Sequence, residues 1–561
     1  MANFHGGQHQ FNIGTVEINH WQQYGRPDFK DAIQALSRAR AIEATDISNV
    51  AAYAPRCSPG SRTRTLQDIM AWIQTPTTSI LWISGVAGAG KTCVMREVVK
   101  RCRDAGFITW TYFFNFRHAR LTIEQPFVAT LVWQMIDTIP ALRPFVLQTI
   151  EDDPDGMFNP QVSLDRQMKT LLMPALDHPP LQMDPAAPSK ITILVDAIDE
   201  CVDRRERGNL LRLLHSLTQR KRPTIVVVVA SRPEPDLRTA YDAPVLKSAT
   251  THLSLEKYDT SSDVRHFLCG EFETIRNTHP LAPEDWPDED TLSQVEAFCG
   301  GKFLVASTIA KYIEDKNRNP VDLLTEILSL DTSRGATPSD HFAHLDRLYT
   351  HILHPPKTDV SLTKRLLHAA VVLDSSGSGI KLACLDALFA LAPGTTLSIA
   401  KQFNPVIDHS KDRFTFRHKS LRDYLLSEDR SGGLFRSRPE TCIELATAIA
   451  EGLQAWYTQD PSEPHPMGSI AHQWCQLVAD SGVVDLPVDE VPAAIITFDP
   501  RVIFCDHFLA CISRSSGGAA GVLNSSWSRL STWFHRTIVS PQHLSSRQVS
   551  LSAHPIVYIQ R

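Results

Sequence analysis

An eight-residue stretch has the pattern Gly-x-x-x-x-Gly-Lys-Thr. Its residues are Gly85, Val86, Ala87, Gly88, Ala89, Gly90, Lys91 and Thr92. In such a loop the glycines let backbone N–H groups surround a phosphate, the lysine reaches the outer phosphates and the threonine hydroxyl ligates Mg²⁺. The stretch follows an apolar run and precedes a helical pattern, which is the position that a phosphate-binding loop requires. The sequence therefore predicts a nucleotide site here.

Acidic side chains follow an apolar run at residues 191–195. The run ends at Asp196, and Asp199 and Glu200 lie three and four residues further on. At the end of a buried strand, Asp196 would hold Mg²⁺ directly or through water. Either Asp199 or Glu200 would orient and deprotonate an attacking water molecule. The alternative is a solvated acidic strand end, which the phosphate-loop pattern upstream disfavours.

Arg232 follows a third apolar run, at residues 225–230. If this run is a strand of the same sheet, the arginine stands at the edge where strand ends meet a ligand. It would then sense the γ-phosphate of a bound nucleotide. An ordinary surface arginine is the other interpretation that the spacing leaves open.

A sheet is needed to bring these residues together, and the first half of the chain predicts one. Apolar runs predict its strands, and helical patterns lie between several of them. The predicted strands are 80–83, 108–114, 191–195, 225–230 and 252–255. Strands that alternate with helices indicate a mainly parallel sheet. The predicted fold class is an α/β P-loop NTPase with a parallel sheet core, followed by helical and winged-helix domains.

Helical patterns replace the strand signals after residue 260. One exception is a predicted hairpin, in which residues 406–408 and 413–416 flank a polar turn. With helices before and after it, this hairpin resembles a winged-helix unit. A proline-rich segment at residues 179–188 is predicted to be a surface loop inserted before a strand.

Composition excludes several classes of protein. Of the 561 residues, 43% are apolar and 21% are charged, so several globular domains are expected and wholesale disorder is excluded. A formal net charge of −6 argues against a strongly cationic nucleic-acid binder. The first residues lack a signal-peptide pattern and no apolar run is long enough to span a bilayer, so we expect a cytoplasmic protein. The 11 cysteines include no Cys-x-x-Cys pair, and reduced thiols are expected.

Together, the motifs resemble the NACHT domain of fungal NOD-like receptors, of the nephrocystin-3-like amino-terminal type and the signal-transducing ATPase (STAND) class. The segments 85–92, 196–201 and 230–234 carry most of this resemblance. Further similar segments are Cys57–Arg62, Phe113–Arg117, Gly300–Ala306 and His418–Leu425. The amino-terminal Gly-Gly and Phe-Asn-x-Gly patterns resemble leaders that precede basidiomycete NACHT domains.

The resemblance implies a switch that binds ATP or ADP with Mg²⁺ and hydrolyses ATP slowly. In such switches a closed ADP form gives way to an open ATP form that self-associates. We therefore expect a nucleotide-dependent homo-oligomer and a protein effector of unknown identity. His418 matches a winged-helix histidine that contacts the ADP β-phosphate in related receptors. A histidine after a hairpin is commonly a structural hydrogen-bond partner, so both roles of His418 stay open.

The resemblance also predicts a division of the chain. The predicted segments are a flexible leader (1–50), a NACHT core (51–258), a helical lid (259–355), a winged-helix-like domain (356–430) and a helical carboxyl-terminal segment (431–561). The last segment has no recognisable repeats, whereas many members of the family end in repeat arrays that sense a ligand.

Two other functions are open at this stage. A P-loop turnover enzyme, such as a small-molecule kinase, would need an acceptor pocket and a mobile lid. A nucleotide-binding scaffold would keep the fold without hydrolysis, and the intact Lys91 and Glu200 count against it. The arginines of residues 204–207 are predicted to form a solvated face. His351 and His354 are predicted to be a surface pair rather than metal ligands.

Overall fold

The computed structural model describes the middle of the chain almost continuously and parts of both ends. The described residues are 29–48, 57, 60–116, 118, 121, 123–153, 156–159, 162–178, 188–330, 342–354, 359–374, 379–459, 470, 473–474, 477–478 and 492–497. They belong to two compact units. The first unit falls within residues 1–40 and 125–187, and the second falls within residues 41–124 and 188–561.

Helices make up most of both units. In chain order they are α1 (Lys30–Ala39), α2 (Thr63–Gln74), α3 (Lys91–Asp104), α4 (Pro126–Thr138), α5 (Arg143–Glu151), α6 (Leu164–Gln167), α7 (Met173–Leu176), α8 (Arg204–Leu217), α9 (Pro235–Asp242), α10 (Pro244–Ala249), α11 (Ser261–Thr278), α12 (Glu289–Cys299), α13 (Phe303–Ile313), α14 (Pro320–Ser329), α15 (Ala343–Leu353), α16 (Val360–Leu373), α17 (Leu382–Leu388), α18 (Thr395–Gln402), α19 (Lys419–Leu425), α20 (Glu428–Ser431), α21 (Arg438–Gln459) and α22 (Ala493–Thr497). A π-helical turn at Met168–Leu172 joins α6 to α7.

The second unit is built on a five-stranded sheet. Its strands are β1 (Ile80–Ser84), β2 (Ile108–Phe113), β3 (Lys190–Asp196), β4 (Thr224–Ser231) and β5 (Thr250–Ser254). They lie in the order β2-β3-β4-β1-β5, and every neighbouring pair is parallel. The predicted parallel sheet is therefore confirmed.

Both faces of this sheet are covered, as is usual for parallel strands. On one face, Leu81 and Ile83 of β1 share a hydrophobic core with residues of α2 and α3. On the other face, Trp82 stacks between Tyr241 and His252. Its ring centroid lies 4.2 Å from that of Tyr241 and 4.3 Å from that of His252. In β1 to β4 the apolar runs form strands because nearly every residue buries its side chain on one face or the other.

The carboxyl ends of three strands meet at one edge of the sheet. Ser84 at the end of β1 pairs with Ser231 at the end of β4, and Val195 of β3 pairs with Val229 of β4. Because the strands are parallel, the residues that follow them emerge on the same side. The loop after β1, Asp196 and Arg232 are placed together in this way.

One hydrophobic core runs through the helical segment that follows the sheet. Buried residues from α11 to α22 belong to it, including Phe298, Tyr349, Phe414 and Leu445. The predicted lid, the hairpin and the described part of the carboxyl-terminal segment therefore share a core.

The predicted hairpin is confirmed by β7 (Ile407–Asp408) and β8 (Arg413–Phe416), which are antiparallel. A further strand, β6 (Ile380–Lys381), pairs with the other edge of β8. We call residues 360–425 the hairpin unit. It runs from α16 through β6, α17, α18 and the hairpin to α19. The winged-helix prediction requires this order of elements, and the assignment to that class remains a prediction.

The flexible leader predicted at 1–50 is wrong for residues 30–39 and 42–44, which are helical. Helix α1 is amphipathic, with Ala32 and Leu36 fully buried, and it packs against α4 and α5. The N–H of Ala32, in the first turn of α1, donates a hydrogen bond to Glu151 Oε2 at 2.8 Å. Burial of this apolar stripe holds the helix in place. It forms the first unit with the insertion that follows β2, so the core predicted at 51–258 is not continuous.

Other predictions concern residues outside the described part of the chain. The proline-rich segment is described only at residue 188, and most of 431–561 is not described. Within the described ranges, no helix combines the length and the apolar character needed to cross a bilayer.

Candidate functional site

The loop after β1 has the shape of a phosphate cradle. Residues 85–90 lead from β1 into α3, which begins at Lys91. Gly88 and Gly90 both have a φ of 80°, in the left-handed region that favours glycine. A Cβ on Gly88 would also lie 2.4 Å from the Cβ of Leu304. The backbone N–H groups of such a loop and the helix amino terminus together make an anion-binding site.

Side-chain contacts hold the loop in this shape. Lys91 Nζ donates hydrogen bonds to the carbonyls of Gly85 at 2.7 Å and Val86 at 3.0 Å. The Val86 N–H donates to Glu256 Oε1 at 3.1 Å, and Ala87 is buried. Burial lowers the pKa of Lys91, and the nearby carboxylates oppose this shift.

Arg62 joins the phosphate loop to the helical segment. Its Nη2 donates to the Ala89 carbonyl at 2.6 Å, and its backbone N–H donates to Asp263 Oδ2 of α11 at 3.0 Å. Its guanidinium lies over the ring of Phe303, 5.3 Å from the centroid. Arg62 is buried and also lines a cavity of about 690 Å³. Arg62, the last residue of the similar segment Cys57–Arg62, thus contacts the phosphate loop.

Thr92 and Asp196 are adjacent, as a shared metal ion would require. The Thr92 hydroxyl forms a hydrogen bond to the Asp196 carboxylate, which is 1% exposed. No described residue donates a hydrogen bond to Asp196 Oδ1. Burial raises the pKa of Asp196 to about 6 although the Thr92 contact opposes this. A buried carboxylate oxygen without a partner fits a hard cation with oxygen ligands such as Mg²⁺.

Asp199 lies in a cluster of positive charges. Its carboxylate accepts a hydrogen bond from the Arg232 N–H at 3.1 Å. It also forms ion pairs with the Arg232 Nε at 3.4 Å and the Lys419 Nζ at 3.7 Å. Burial raises the pKa of Asp199, but the charges of Lys419, Lys91 and Arg232 lower it, and the net direction is downward. Asp199 is therefore a fixed anion.

Glu200 has a different environment. Its Oε2 accepts a hydrogen bond from the Phe116 N–H at 2.7 Å. Burial and the charge of Asp199 raise the pKa of Glu200 to about 7. The turn that carries it begins at Ala197, whose φ of 57° is sparsely populated for a non-glycine residue. A carboxyl group that titrates near neutrality is suited to accept a proton.

Arg232 and Lys419 connect the sheet edge to the hairpin unit. Arg232 Nη1 forms an ion pair with Asp423 of α19, and Lys419 Nζ donates to the Asp199 carbonyl at 3.0 Å. The interpretation of Arg232 as an ordinary surface residue is wrong, because its side chain is 15% exposed. Lys419 and Asp423 are four residues apart on one helix and share a face. That spacing is the signal that could have identified them.

His418 caps helix α19. Its Nδ1 accepts a hydrogen bond from the Ser420 N–H at 3.1 Å and lies 2.7 Å from Ser420 Oγ. Because Nδ1 accepts, the neutral ring carries its proton on Nε2. The structural role that the sequence left open is therefore present, and contact with a nucleotide phosphate stays a prediction.

The predicted solvated face at residues 204–207 is wrong for Arg207, which is 6% exposed. Arg207 precedes Leu210, Leu211 and Leu214 at spacings of three, four and seven residues, and these leucines form the buried face of α8. Helical periodicity would therefore have placed Arg207 inward. It contacts both the acidic motif and the segment after β4.

His351 and His354, which were predicted to be a surface pair, each contact a different partner. His351 Nε2 is 3.0 Å from the Tyr312 hydroxyl, and His354 Nδ1 is 2.9 Å from the Thr350 carbonyl. Across the described ranges, no group of three or more His, Cys, Asp or Glu residues is arranged to hold a metal ion.

A parallel sheet, a phosphate loop and carboxylates at the neighbouring strand ends define a P-loop NTPase fold. Residues 60–232, which contain the phosphate loop, the carboxylates and strands β1 to β4, match the family model described as Nephrocystin 3, N-terminal. A comparison with curated proteins gives no significant match.

The chain is also similar to several solved structures. One is a Pyrococcus horikoshii signal transduction ATPase with numerous domains (STAND), which has a tetratricopeptide repeat sensor. The two chains are 14% identical, the match covers 86% of this chain and 59% of that chain, and the TM-score is 0.34. Aeropyrum pernix ORC1 in complex with DNA has 14% identity, 64% and 91% coverage, and a TM-score of 0.32. Cdc6p from Pyrobaculum aerophilum has 13% identity, 66% and 94% coverage, and a TM-score of 0.31. The chain thus spans 59% of the length of the Pyrococcus protein.

Proposed function

We propose that this protein is a nucleotide-dependent signalling switch of the NACHT and NOD-like receptor type. It binds ATP or ADP through residues 85–92 and hydrolyses ATP slowly. The nucleotide state controls self-association and, through it, a protein effector. The sequence resemblance suggests fungal non-self recognition or programmed cell death as the setting.

One observation favours a switch over a turnover enzyme. Arg232, which is suited to act at a γ-phosphate, is ion-paired with Asp423 of the hairpin unit, and Asp199, which orients Arg232, is ion-paired with Lys419. In an enzyme selected for turnover, such groups would be open to the substrate. Here they also hold another part of the molecule in place, so a change at the phosphate end would be transmitted to the hairpin unit.

The carboxyl groups divide the chemistry between them. Thr92 and Asp196 would hold Mg²⁺, which neutralises phosphate charge when bound. Glu200 would take a proton from the attacking water. The water oxygen would then bond to the γ-phosphorus while the bond between that phosphorus and the ADP oxygen breaks. Asp199 stays ionised and orients Arg232. This division follows from the opposite directions of the two pKa shifts.

Asp423→Asn tests the proposal, because it removes one partner of Arg232 while keeping the shape of the side chain. We expect the variant to release bound ADP faster and to self-associate at lower ATP concentration than wild type. Asp429→Asn, an exposed position on the neighbouring helix α20, is the matched control. Nucleotide release can be followed with fluorescent ADP and assembly by light scattering. A variant that behaves as wild type in both would count against the switch.

A further inference from the structure

Arg207 is a buried cation that contacts the turn carrying Glu200. It lies in the first turns of α8. Its Nε donates a hydrogen bond to the Cys201 carbonyl at 2.8 Å, and its Nη2 donates to the Asp199 carbonyl at 2.6 Å. These two carbonyls flank Glu200. A single guanidinium therefore fixes the backbone on both sides of that residue.

The same guanidinium holds the segment after β4. Its Nη1 donates to Glu234 Oε2 at 2.7 Å and to Asp236 Oδ2 at 3.2 Å. Glu234 lies two residues after Arg232, at the start of α9. The planar fork of arginine thus bridges the ends of β3 and β4, a geometry that lysine cannot reproduce.

A buried cation is costly unless it is paired, and Arg207 is paired with two backbone carbonyls and two carboxylates. Arg207 lies on the apolar face of α8, where an apolar side chain would pack beside Leu210 and Leu214. Replacing a complete set of buried ionic groups by apolar residues is often neutral or stabilising, so stability does not by itself require this set. The turn that Arg207 holds contains the left-handed Ala197, and such strained residues persist where their surroundings fix them.

We propose that Arg207 is a positioning residue for ATP hydrolysis. It fixes the backbone from Asp199 to Cys201. This backbone directs the Glu200 carboxylate towards the attacking water and sets the distance between that carboxylate and Arg232. Arg207 acts through these residues and does not touch the nucleotide. The inference rests on the proposed function, because it assigns Arg207 to the same reaction.

Arg207→Lys in the full chain tests this role, with the exposed Arg205→Lys on the same helix as the control. We expect kcat to fall about tenfold or more, because small displacements of a catalytic group are costly. The Kd for a fluorescent ATP analogue should change by less than about twofold, since the phosphate loop is untouched. The acid limb of the pH–rate profile should also move, which a purely structural role would not cause. A folded variant with wild-type kcat and pH profile would overturn the proposal.

A second variant covers the case in which Arg207→Lys does not fold. Glu234→Gln weakens the carboxylate contact that anchors the guanidinium against the two carbonyls, so the turn is held less firmly and kcat should fall about two- to fivefold. Unchanged turnover in this variant would then overturn the proposal.

A readout without turnover separates this inference from the proposed function. Wild-type protein that binds no ATP analogue would contradict the proposed function itself. The role of Arg207 can still be judged on nucleotide-free protein, from the pH dependence of the melting temperature. The effect of Glu200→Gln on that dependence should be smaller in the Arg207→Lys background than in wild type. An equal effect in both backgrounds would show that Arg207 does not position Glu200.

Discussion

Three carboxyl groups at the end of β3 differ in pKa because their surroundings differ. Asp196 is buried beside a hydroxyl group, Asp199 faces two cations, and Glu200 receives one N–H and lies next to the Asp199 charge. Their pKa values are therefore pushed apart. Groups with separated pKa values in one site can take different roles in the same reaction.

The first residue-scale prediction concerns Lys91. Lys91→Ala removes an ammonium group that contacts the carbonyls of Gly85 and Val86 in the phosphate loop. We expect the affinity for ATP and ADP to fall at least about a hundredfold, the loss of a charge-assisted contact in a buried site. Lys100→Ala, on the exposed side of the same helix, should bind as wild type. Fluorescent nucleotide titration would measure both, and equal affinities would remove Lys91 from the site.

A second prediction is the pH dependence that Glu200 produces in nucleotide-free protein. Its pKa is raised to about 7 in the folded state, so the folded state binds more protons than the unfolded state between pH 4.5 and 7. The free energy of unfolding therefore falls as pH rises through this window. Glu200→Gln removes that loss and should be more stable than wild type at pH 8, by on the order of 3 kcal/mol.

Melting curves between pH 4.5 and 8 would measure this effect. The difference between Glu200→Gln and wild type should shrink towards the acid end of the range. The exposed Glu273→Gln should show no such trend. A constant difference across the range would contradict the raised pKa of Glu200. With nucleotide present, the same variant should retain bound ATP, because the proton acceptor is absent.

At the scale of elements, helix α19 carries the contacts between the hairpin unit and the sheet edge. Its start is fixed by His418, and it presents Lys419 and Asp423 to Asp199 and Arg232. The orientation of this helix therefore depends on the cap at its amino terminus.

The prediction for His418 separates its two possible roles. His418→Asn keeps an amino-terminal cap, whereas His418→Ala loses it at a cost of about 1 kcal/mol in stability. If the histidine only caps the helix, the asparagine variant should retain ADP as wild type does. If it also contacts the nucleotide, both variants should release ADP faster and self-associate more readily. Release of fluorescent ADP together with melting temperature distinguishes these outcomes.

The sequence predicted elements better than it predicted contacts between them. Strands β1, β3 and β4 were predictable because their apolar runs are short, rich in β-branched residues and buried on both faces. Arg207 and Asp423 were not predicted, because their partners lie on other elements and a charged side chain is ordinarily taken as exposed. The burial of Arg207 was still available from its spacing to Leu210 and Leu214.

At the scale of the whole molecule, one segment of the chain lies where the sequence did not predict it. Helix α1 belongs with the insertion after β2 rather than with a flexible leader. Its ten residues give too short a pattern to show whether a partner exists for the apolar face. The insertion also divides the NTPase sequence between the phosphate loop and the acidic motif, which local patterns do not reveal.

The central claim is that bound nucleotide sets the association state. The most direct test purifies the protein natively, identifies the released nucleotide by mass spectrometry and follows light scattering while ATP is exchanged in. We predict a monomer that retains ADP and assembles when ATP replaces it. A monomer that carries no nucleotide, turns ATP over rapidly and does not assemble would contradict the switch and indicate a P-loop turnover enzyme.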